Sequence, residues 1–405
     1  MKWEKSKIKD VCKGIYDGPH ATPPPSDTGG IFLGISNITN GGHLDLTKVR
    51  YINKKDLPKW TKRVVPQSGD IVFSYEATLG LYAIIPSDFY GCLGRRMALI
   101  RPNEEIVRGK YLYYYFLSPE WQAIIQENTV VGATVDRIPL IKFPDFVISY
   151  PSLAFQDKII NILSAYDDLI ENNRRQIALL EEAASRLYKE WFVDFHFPGH
   201  EQVKIVDGMP EGWRMSCIGE ISLTLSGGTP SRTHLEYYNN GNIPWVKTKE
   251  LNDGFIFDTE EKITEEAVKK SSTKLFPKRS IILAMYGATI GKLGISSKSM
   301  CCNQACCVFI LEDNYLFEYF YLWLINNRNM LINRGRGAAQ SNLSQELIRQ
   351  LEICIPSKEI LMLFSESISK IFDIKELLQK KIVLMCEARD RLLPKLMSGE
   401  IEVRP

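Results

Sequence analysis

The octapeptide FSYEATLG at residues 73–80 returns, altered but recognisable, as AMYGATIG at residues 284–291. Both carry Tyr-x-Ala-Thr-aliphatic-Gly, with Tyr75 opposite Tyr286 and Gly80 opposite Gly291. A window this short settles nothing alone. If the chain is a duplicated unit, further matches must flank it in the same order, because self-similarity at a fixed offset is the mark of a repeat architecture. They do. VPQSGDIVFSYEATLG aligns with FPKRSIILAMYGATIG, and upstream IFLGISNITNGG (Ile31 to Gly42) aligns with IPWVKTKELNDG (Ile243 to Gly254). Downstream, YLYYYFL from Tyr111 matches YFYLWLI from Tyr319, VVGATVDRIP matches GRGAAQSNLS with Gly132 opposite Gly337, and YPSLAFQ matches IPSKEIL with Pro151 opposite Pro356. The offset shrinks smoothly along the chain, as it does in a diverged duplication whose loops differ.

The segment that closes each copy is the most regular. From Ile159, apolar residues recur at Leu163, Tyr166, Ile170, Ile177, Leu180, Ala184, Leu187 and Trp191, with Asn173 on the same line. This three-four alternation is a heptad seam and predicts a long helix. In the second copy the line is Phe364, Ile368, Ile371, Leu378, Ile382, Met385, Leu392 and Leu396, broken by Lys375 and Arg389. Ile159 to Trp191 would span about 50 Å at 1.5 Å per residue. Neither stripe can be buried by its own helix, so the two are expected to pack on each other as an antiparallel coiled coil, with Asn173 specifying register. Pro394 should kink or end the second helix, and Gly399 should cap it.

Ahead of each helix lie short β-rich runs: GDIVFS, YAIIP, RMALIRP and FVISYP in the first copy, SIILAMYG, CVFILE and LEICIP in the second. Turn signals such as NGG, NDG, PPP and SGG separate them. Each copy also holds a moderate helix, KYLYYYFLSPEWQAII and EYFYLWLINNRNMLI, whose aromatic run reads as core packing rather than a stacking platform for bases. The expected fold is α+β: two β-rich domains with small helices at 1–151 and 211–356, long helices at 152–196 and 357–405, a linker at 197–210, and a pseudo-two-fold internal repeat. A length of 405 residues fits, since roughly 100 to 200 residues per domain gives two to four domains.

No apolar run reaches the roughly 18 residues that span a bilayer. The N-terminal MKWEKSKIKD lacks the apolar stretch of a signal peptide, so a soluble cytoplasmic protein with no membrane partner is expected. Nine cysteines, an odd and unevenly spread number, do not make a secreted disulfide framework. CCNQACC (Cys301, Cys302, Cys306, Cys307) has no second Cys or His group near it to complete a zinc site, and reads as a buried strand with cysteines as small apolar residues.

A net charge of +2 says little, but its distribution is uneven. Between Glu266 and Glu312 there is no acid, while Lys269, Lys270, Lys274, Lys278, Arg279, Lys292 and Lys298 are positive. Arg328, Arg334 and Arg336 lie in another acid-free stretch, as do Lys59, Lys62 and Arg63, and Arg95, Arg96 and Arg101. A charge run is ordinarily a solvated face, but clustering of this size points to nucleic acid.

Catalytic motifs are missing. GATIGK (Gly287 to Lys292) is one residue short of a phosphate loop, with Leu293 where Ser or Thr is needed, and ATLGLY in the first copy has no lysine. There is no G-x-G-x-x-G after a strand, no H-E-x-x-H, and no Asn/Asp-Pro-Pro-aromatic tetrapeptide of an adenine methyltransferase. His20, His43, His196, His200 and His234 share no spacing, and no triad assembles. A stand-alone two-domain DNA-modifying or nicking enzyme would need an acidic metal-binding cluster that is not found, and a purely structural adaptor would leave the basic stretches without purpose.

The order of β-rich domain, long helix, WFVDFHFPGH (Trp191 to His200), MPEGW (Met209 to Trp213), second domain, second helix and LLPKLMSGEI (Leu392 to Ile401) resembles the specificity subunit of type I restriction-modification systems. SGGTPS (Ser226 to Ser231), DGPH (Asp17 to His20) and the two Ala-Thr-aliphatic-Gly turns are weaker signs of the same family. The resemblance covers essentially the whole chain. It implies a non-catalytic subunit whose target-recognition domains each read one half of a bipartite sequence in double-stranded DNA, with the helices as spacer. It further implies docking to two methyltransferase subunits and to motor-nuclease restriction subunits, with S-adenosylmethionine, ATP and Mg on those partners and no cofactor in this chain.

Within that resemblance, Arg and Lys at phosphates supply affinity, whereas Arg to guanine or Asn and Gln to adenine supply sequence choice. The candidates are His20, Tyr75, Thr78, Arg95, Arg96 and Arg137 in the first domain, and Thr229, Arg232, Lys247, Lys249, Tyr286, Thr289, Lys292, Arg336 and Gln340 in the second. Thr78 and Thr289 sit with Gly80 and Gly291 in turns that serve equally as hairpins required by the fold or as points of close backbone approach. Arg336 stands between two glycines in RGRG, where no core needs it.

Overall fold

Ile71–Ser74, apolar up to its last residue, and Ile281–Ala284, apolar throughout, do not alternate with polar residues because both of their faces are covered. Ile71 and Phe73 point into one apolar cluster and Val72 into another; Ile281 and Leu283, and then Ile282 and Ala284, divide in the same way. Period-two alternation thus survives, with two buried layers in place of one buried and one wet.

The computed structural model describes residues 3–39, 41–132, 135–336 and 342–402, the side chains of residues 335 and 336 excepted. It divides into two units, Met1–Leu169 with Met385–Pro405, and Ile170–Leu384. The first holds strands β1 (Trp3–Lys7), β2 (Cys12–Asp17), β3 (Gly30–Leu33), β4 (Arg50–Ile52), β5 (Ile71–Ser74), β6 (Tyr82–Ile84), β7 (Gly91–Leu93), β8 (Met97–Pro102) and β9 (Val147–Pro151), and helices α1 (Leu57–Trp60), α2 (Gly109–Leu117) and α3 (Pro119–Asn128). One sheet runs β2-β8-β5-β6, a second β4-β3-β7, and β1 pairs with β9. Residues 111–116 of α2 are all buried, so its aromatic run is core, as its composition predicts. Helix α3 starts at Pro119 because the Ser118 hydroxyl accepts the Trp121 amide and proline at the first position forfeits no helical bond.

Helix α4 (Leu153–Phe192) is 40 residues long. The second unit then holds β10 (Ile205–Val206), β11 (Met209–Pro210), β12 (Arg214–Cys217), β13 (Leu223–Ser226), β14 (Ile243–Val246), β15 (Gly254–Ile256), β16 (Lys262–Ile263), β17 (Ile281–Ala284), β18 (Leu293–Ser296), β19 (Cys301–Cys302), β20 (Cys306–Ile310) and β21 (Glu352–Ile355). Its helices are α5 (Ile218–Ile221), α6 (Glu265–Lys270), α7 (Phe317–Asn326), α8 (Arg328–Arg336), α9 (Gln345–Arg349) and most of α10 (Lys358–Met397). Sheet order β13-β20-β17-β18 repeats β2-β8-β5-β6, with β15 added at the edge. β16-β14-β19 repeats β4-β3-β7, and β12-β21 repeats β1-β9.

Inside each unit the two long helices lie side by side. In the first, Ile159 and Leu163 share a core cluster with Leu393, Leu396 and Met397, and Arg389 binds Asp167. In the second, Trp191 meets Phe364 with ring centroids 5.5 Å apart while Lys375 binds Glu181, so the helices run antiparallel there. Ile170, Asn173, Ile177, Ile368 and Leu378 are buried, and Leu180, Leu187, Ile371, Ile382, Met385 and Leu392 are half-buried. The interruptions of the stripe are satisfied ones. Lys375, 3 % exposed, donates to the Asp253 carbonyl at 2.8 Å and faces Glu181 at 2.7 Å, which removes the cost of a lone buried charge.

The signature WFVDFHFP and the later MPEGW have a joint cause. Trp213 packs against Phe192, Phe195 and Phe197 at centroid distances of 5.9, 5.5 and 5.3 Å, so the ends of the intervening segment are anchored while its middle carries a β10–β11 hairpin whose first strand and turn are exposed.

Three expectations need correction. Helix α10 passes through Pro394 to Met397, because in the last turn a missing amide removes a single bond; Gly399, at φ 75°, closes the end as expected. The cysteine run is two strands, β19 and β20, joined by a three-residue turn, although all four cysteines are buried and burial pushes Cys301 and Cys307 up to about 12. Finally, Tyr75 and Tyr286 are not equivalent. The Tyr75 amide donates to Arg96 O and its carbonyl accepts from Ile138 N; the residue so placed in the second unit is Met285, bonded to Ala305 O and Leu343 N. Ala77 (φ 70°) then matches Gly287 (φ 84°), and Gly80 matches Gly291 only because the second turn has one extra residue between them.

Candidate nucleic-acid interface

In the first unit four loops are stitched side by side by backbone bonds. Gly18 N donates to Met97 O at 2.9 Å, Tyr75 N to Arg96 O at 3.2 Å, Ala77 N to Asp136 O at 3.2 Å and Ile138 N to Tyr75 O at 2.8 Å. His20, Tyr75, Thr78, Arg95, Arg96 and Arg137 all ride on these loops. At their centre is Asp17, which the sequence reading missed. Its carboxylate accepts the Tyr75 hydroxyl at 3.1 Å and Arg63 Nη1 at 3.0 Å, and lies 2.8 Å from His20 Nε2. Burial and then the Asp17 charge push the Tyr75 phenol well above its usual range, so it acts as a neutral donor. Beside this knot is a groove of about 420 Å³ rimmed by His20, Lys59, Trp60, Lys62 and Arg63. Thr78, Arg95 and Arg137 are exposed.

The second unit repeats the stitching with Gly227 N to Cys306 O and Met285 N to Ala305 O. Thr229 rides there, its hydroxyl hydrogen-bonded to Gln304, a second residue the sequence reading missed. Arg232 is stacked over Tyr238 and Trp245 at 4.3 and 5.4 Å and pairs with Glu261, which also binds Lys247. Burial would raise the Glu261 carboxyl, but the hydrogen bonds from Lys247 and Arg232 outweigh it and hold it below the usual range. Lys249 pairs with Glu260. Tyr286 packs partly on the core and Thr289 is half-buried.

Lys292 belongs elsewhere. It binds Asp253, which also accepts from Arg328 and from the Leu293 amide, while the Asp253 carbonyl receives the Tyr321 hydroxyl and Lys375. The first unit has a simpler version, Tyr113 donating to the Gly42 carbonyl at 2.7 Å. Lys292 therefore helps clamp the NDG turn onto the helices. Gln340 and the side chain of Arg336 lie outside the described residues.

The acid-free stretch is not a bare basic field in space. Lys269, Lys270, Lys278, Arg279, Lys292 and Lys298 each meet a carboxylate, on Glu265, Glu266, Glu376, Glu318, Asp253 and Asp258. The pairs of Lys269, Lys270 and Lys298 are exposed on both sides and worth at most about 1 kcal/mol, so a phosphate can displace the carboxylate there, whereas Arg279 is held by the buried Glu318 and Lys292 by the Asp253 clamp. Among the described residues Arg95 and Arg137 have no ion-pair partner at all, which sets them apart from Arg63, Arg96 and Arg101.

The arrangement is a surface with positive charge, exposed hydrogen-bonding tips and aromatic backing, presented once per unit. The family model for the type I restriction modification DNA specificity domain matches twice, at residues 1–182 and 210–391. The type I restriction enzyme MjaIX specificity subunit of Methanocaldococcus jannaschii is 28% identical over 99% of this chain and 94% of its own length. The HindI specificity subunit of Haemophilus influenzae is 26% identical over 98% of this chain and 99% of its own. The crystal structure of the type I restriction-modification S subunit from M. genitalium shares the fold, with TM-score 0.60, 16% identity, and coverage of 98% of this chain and 96% of that one. Two matched copies of one DNA-specificity domain, folded on the same strand plan, place this chain in the type I restriction modification DNA specificity family.

Proposed function

We propose that this chain is the DNA sequence-specificity subunit of a type I restriction-modification complex and has no catalytic site of its own. Each unit reads one half of a bipartite target in double-stranded DNA through the loops around Asp17 and around Thr229. The long helices serve as the spacer and as the docking face for two methyltransferase subunits, and motor-nuclease subunits complete the restriction complex. S-adenosylmethionine, ATP and Mg are assigned to those partners.

The observation that carries this reading is the duplicated loop surface, with three corresponding backbone bonds, from Gly18, Tyr75 and Ile138 in one unit and Gly227, Met285 and Leu343 in the other, and different exposed side chains. Support for docking comes from Leu363, Ile374, Leu377 and Leu384, which are 44, 45, 51 and 55% exposed on one face of α10, interspersed with the exposed Ser367, Lys370 and Lys381. No helix among the described residues is long and apolar enough to cross a membrane.

The test mixes DNA and radiolabelled methyl donor with the purified chain, alone and with methyltransferase subunits. Methylation at a bipartite sequence only when the subunits are added is expected. Methylation or cleavage by the chain alone would favour the stand-alone enzyme instead.

A further inference from the structure

The three-residue turn between β7 and β8, Gly94–Arg96, and that between β19 and β20, Asn303–Ala305, are one frame used twice. Gly94 N donates to Leu33 O at 2.7 Å and Asn303 N to Val246 O at 2.9 Å. The last residue of each turn accepts from the residue just past β5 or its counterpart β17, through Tyr75 N and Met285 N. The residue opening the following strand accepts from the neighbouring loop, through Gly18 N and Gly227 N. A Cβ on either glycine would lie within 2.7 Å of the turn's backbone, at Gly94 O in one unit and at Asn303 O in the other. Backbone contact this close fixes the turn against its loop and leaves no slack for its tip.

The tip is Arg95 in one unit and Gln304 in the other, and both are exposed. Neither is needed by a core. Arg95 has no ion-pair partner among the described residues, and Gln304 has its side-chain oxygen held by the Thr229 hydroxyl. That bond orients the amide while leaving the oxygen's second lone pair and both amide hydrogens for another partner. Constant frame with a changed tip is how two readers of common origin acquire different preferences.

We infer that Arg95 and Gln304 occupy the same reader position in the two units, and that each selects one base pair in its own half-site. Arginine offers two donors to guanine O6 and N7, and glutamine one acceptor and one donor to adenine N6 and N7. The half-site read by the first unit therefore holds a G·C pair at this position, and that read by the second an A·T pair. Thr229 acts as a positioning residue for Gln304. This rests on the proposed function and adds to it a residue and a base preference.

The complex of full-length chain and methyltransferase subunits is given random-sequence DNA, and methylated sites are read by sequencing. Arg95→Ala should loosen one position of one half-site and Gln304→Ala one position of the other, each with discrimination falling about 10- to 100-fold. Gln304→Arg should exchange adenine for guanine at that position alone, which also controls for misfolding, since a damaged protein gains no new preference. Unchanged motifs, equal loosening of several positions, or both variants acting on the same half-site would overturn the inference. A wild-type complex that shows no bipartite motif would instead overturn the proposed function beneath it.

Discussion

Arg389 donates to Asp167 at 2.7 Å, and the Tyr114 hydroxyl donates to the other oxygen of the same carboxylate at 2.6 Å. Both charged side chains are nearly enclosed, at 15 and 13% exposure. Burial opposes the Arg389 charge, but the hydrogen bonds to Asp167 and Asp390 outweigh it and keep the guanidinium protonated. The pair thus lets a charge occupy the apolar stripe of α10.

Removing one partner should hurt more than removing both. Asp167→Asn takes from Arg389 its enclosed counter-charge, leaves only the exposed Asp390, and is expected to lower unfolding free energy by about 2–4 kcal/mol. Replacing the pair together, Asp167→Leu with Arg389→Met, should recover most of that loss, since a packed apolar pair avoids desolvation. Urea unfolding of Asp167→Leu, Arg389→Met and the double closes the cycle. Additive losses would show that the two side chains are not coupled.

Asp253 sets an acid-dependent term. Burial by itself would raise its carboxyl, yet Lys292, the Leu293 amide and Arg328 bring it below the ordinary 3.8. A folded value below the unfolded one means that the stabilisation is complete above about 3.8 and disappears as pH falls through the folded value. Asp253→Asn should therefore be less stable than wild type at neutral pH, by about 1–3 kcal/mol, and the gap should narrow below about pH 4. Denaturant midpoints of both proteins across that range give the answer; a gap independent of pH would remove Asp253 from the ionised network.

Periodicity and order were legible because they are local or cumulative. The long helices follow from a stripe that any window displays, and the duplication from many weak matches in one order. Register was not. The motif around Tyr75 and Tyr286 aligns on its glycines, and a single inserted residue between Gly287 and Gly291 moves the tyrosine off its counterpart without spoiling the pattern. Charge was also misleading, because Lys278, Arg279 and Lys292 find Glu376, Glu318 and Asp253 through tertiary contacts that composition cannot show. Gln304 was hidden among cysteines, and only the paired turns bring it beside Arg95.

The close approach at Gly227 makes a steric prediction. An added Cβ would sit 2.0 Å from Asn303 O and 2.4 Å from Cys302 O, both backbone atoms that cannot rotate away. Gly227→Ala should destabilise the protein by about 2–3 kcal/mol. Gly199→Ala, with φ 84° and no atom within 4 Å of the new methyl, isolates the cost of the left-handed backbone, about 1–2 kcal/mol. Thermal unfolding of both separates crowding from backbone strain, and an unchanged melting temperature for Gly227→Ala would show that the contact is soft.

The register correction can itself be tested at Ala77, which has φ 70° where the second unit has Gly287 at φ 84°. A left-handed alanine costs about 1–2 kcal/mol relative to an allowed conformation, while glycine loses about 0.4–1 kcal/mol through the freedom of the unfolded chain. The first effect is larger, so Ala77→Gly should stabilise by about 0.5–1 kcal/mol. Gly287→Ala should destabilise by a similar amount, with no steric contribution, because nothing lies within 4 Å of the added methyl. Opposite shifts in melting temperature from these two exchanges would match Ala77 with Gly287. If Ala77→Gly lowered the melting temperature, Ala77 would not sit in a left-handed turn, and the offset that separates Tyr75 from Tyr286 would lose its support.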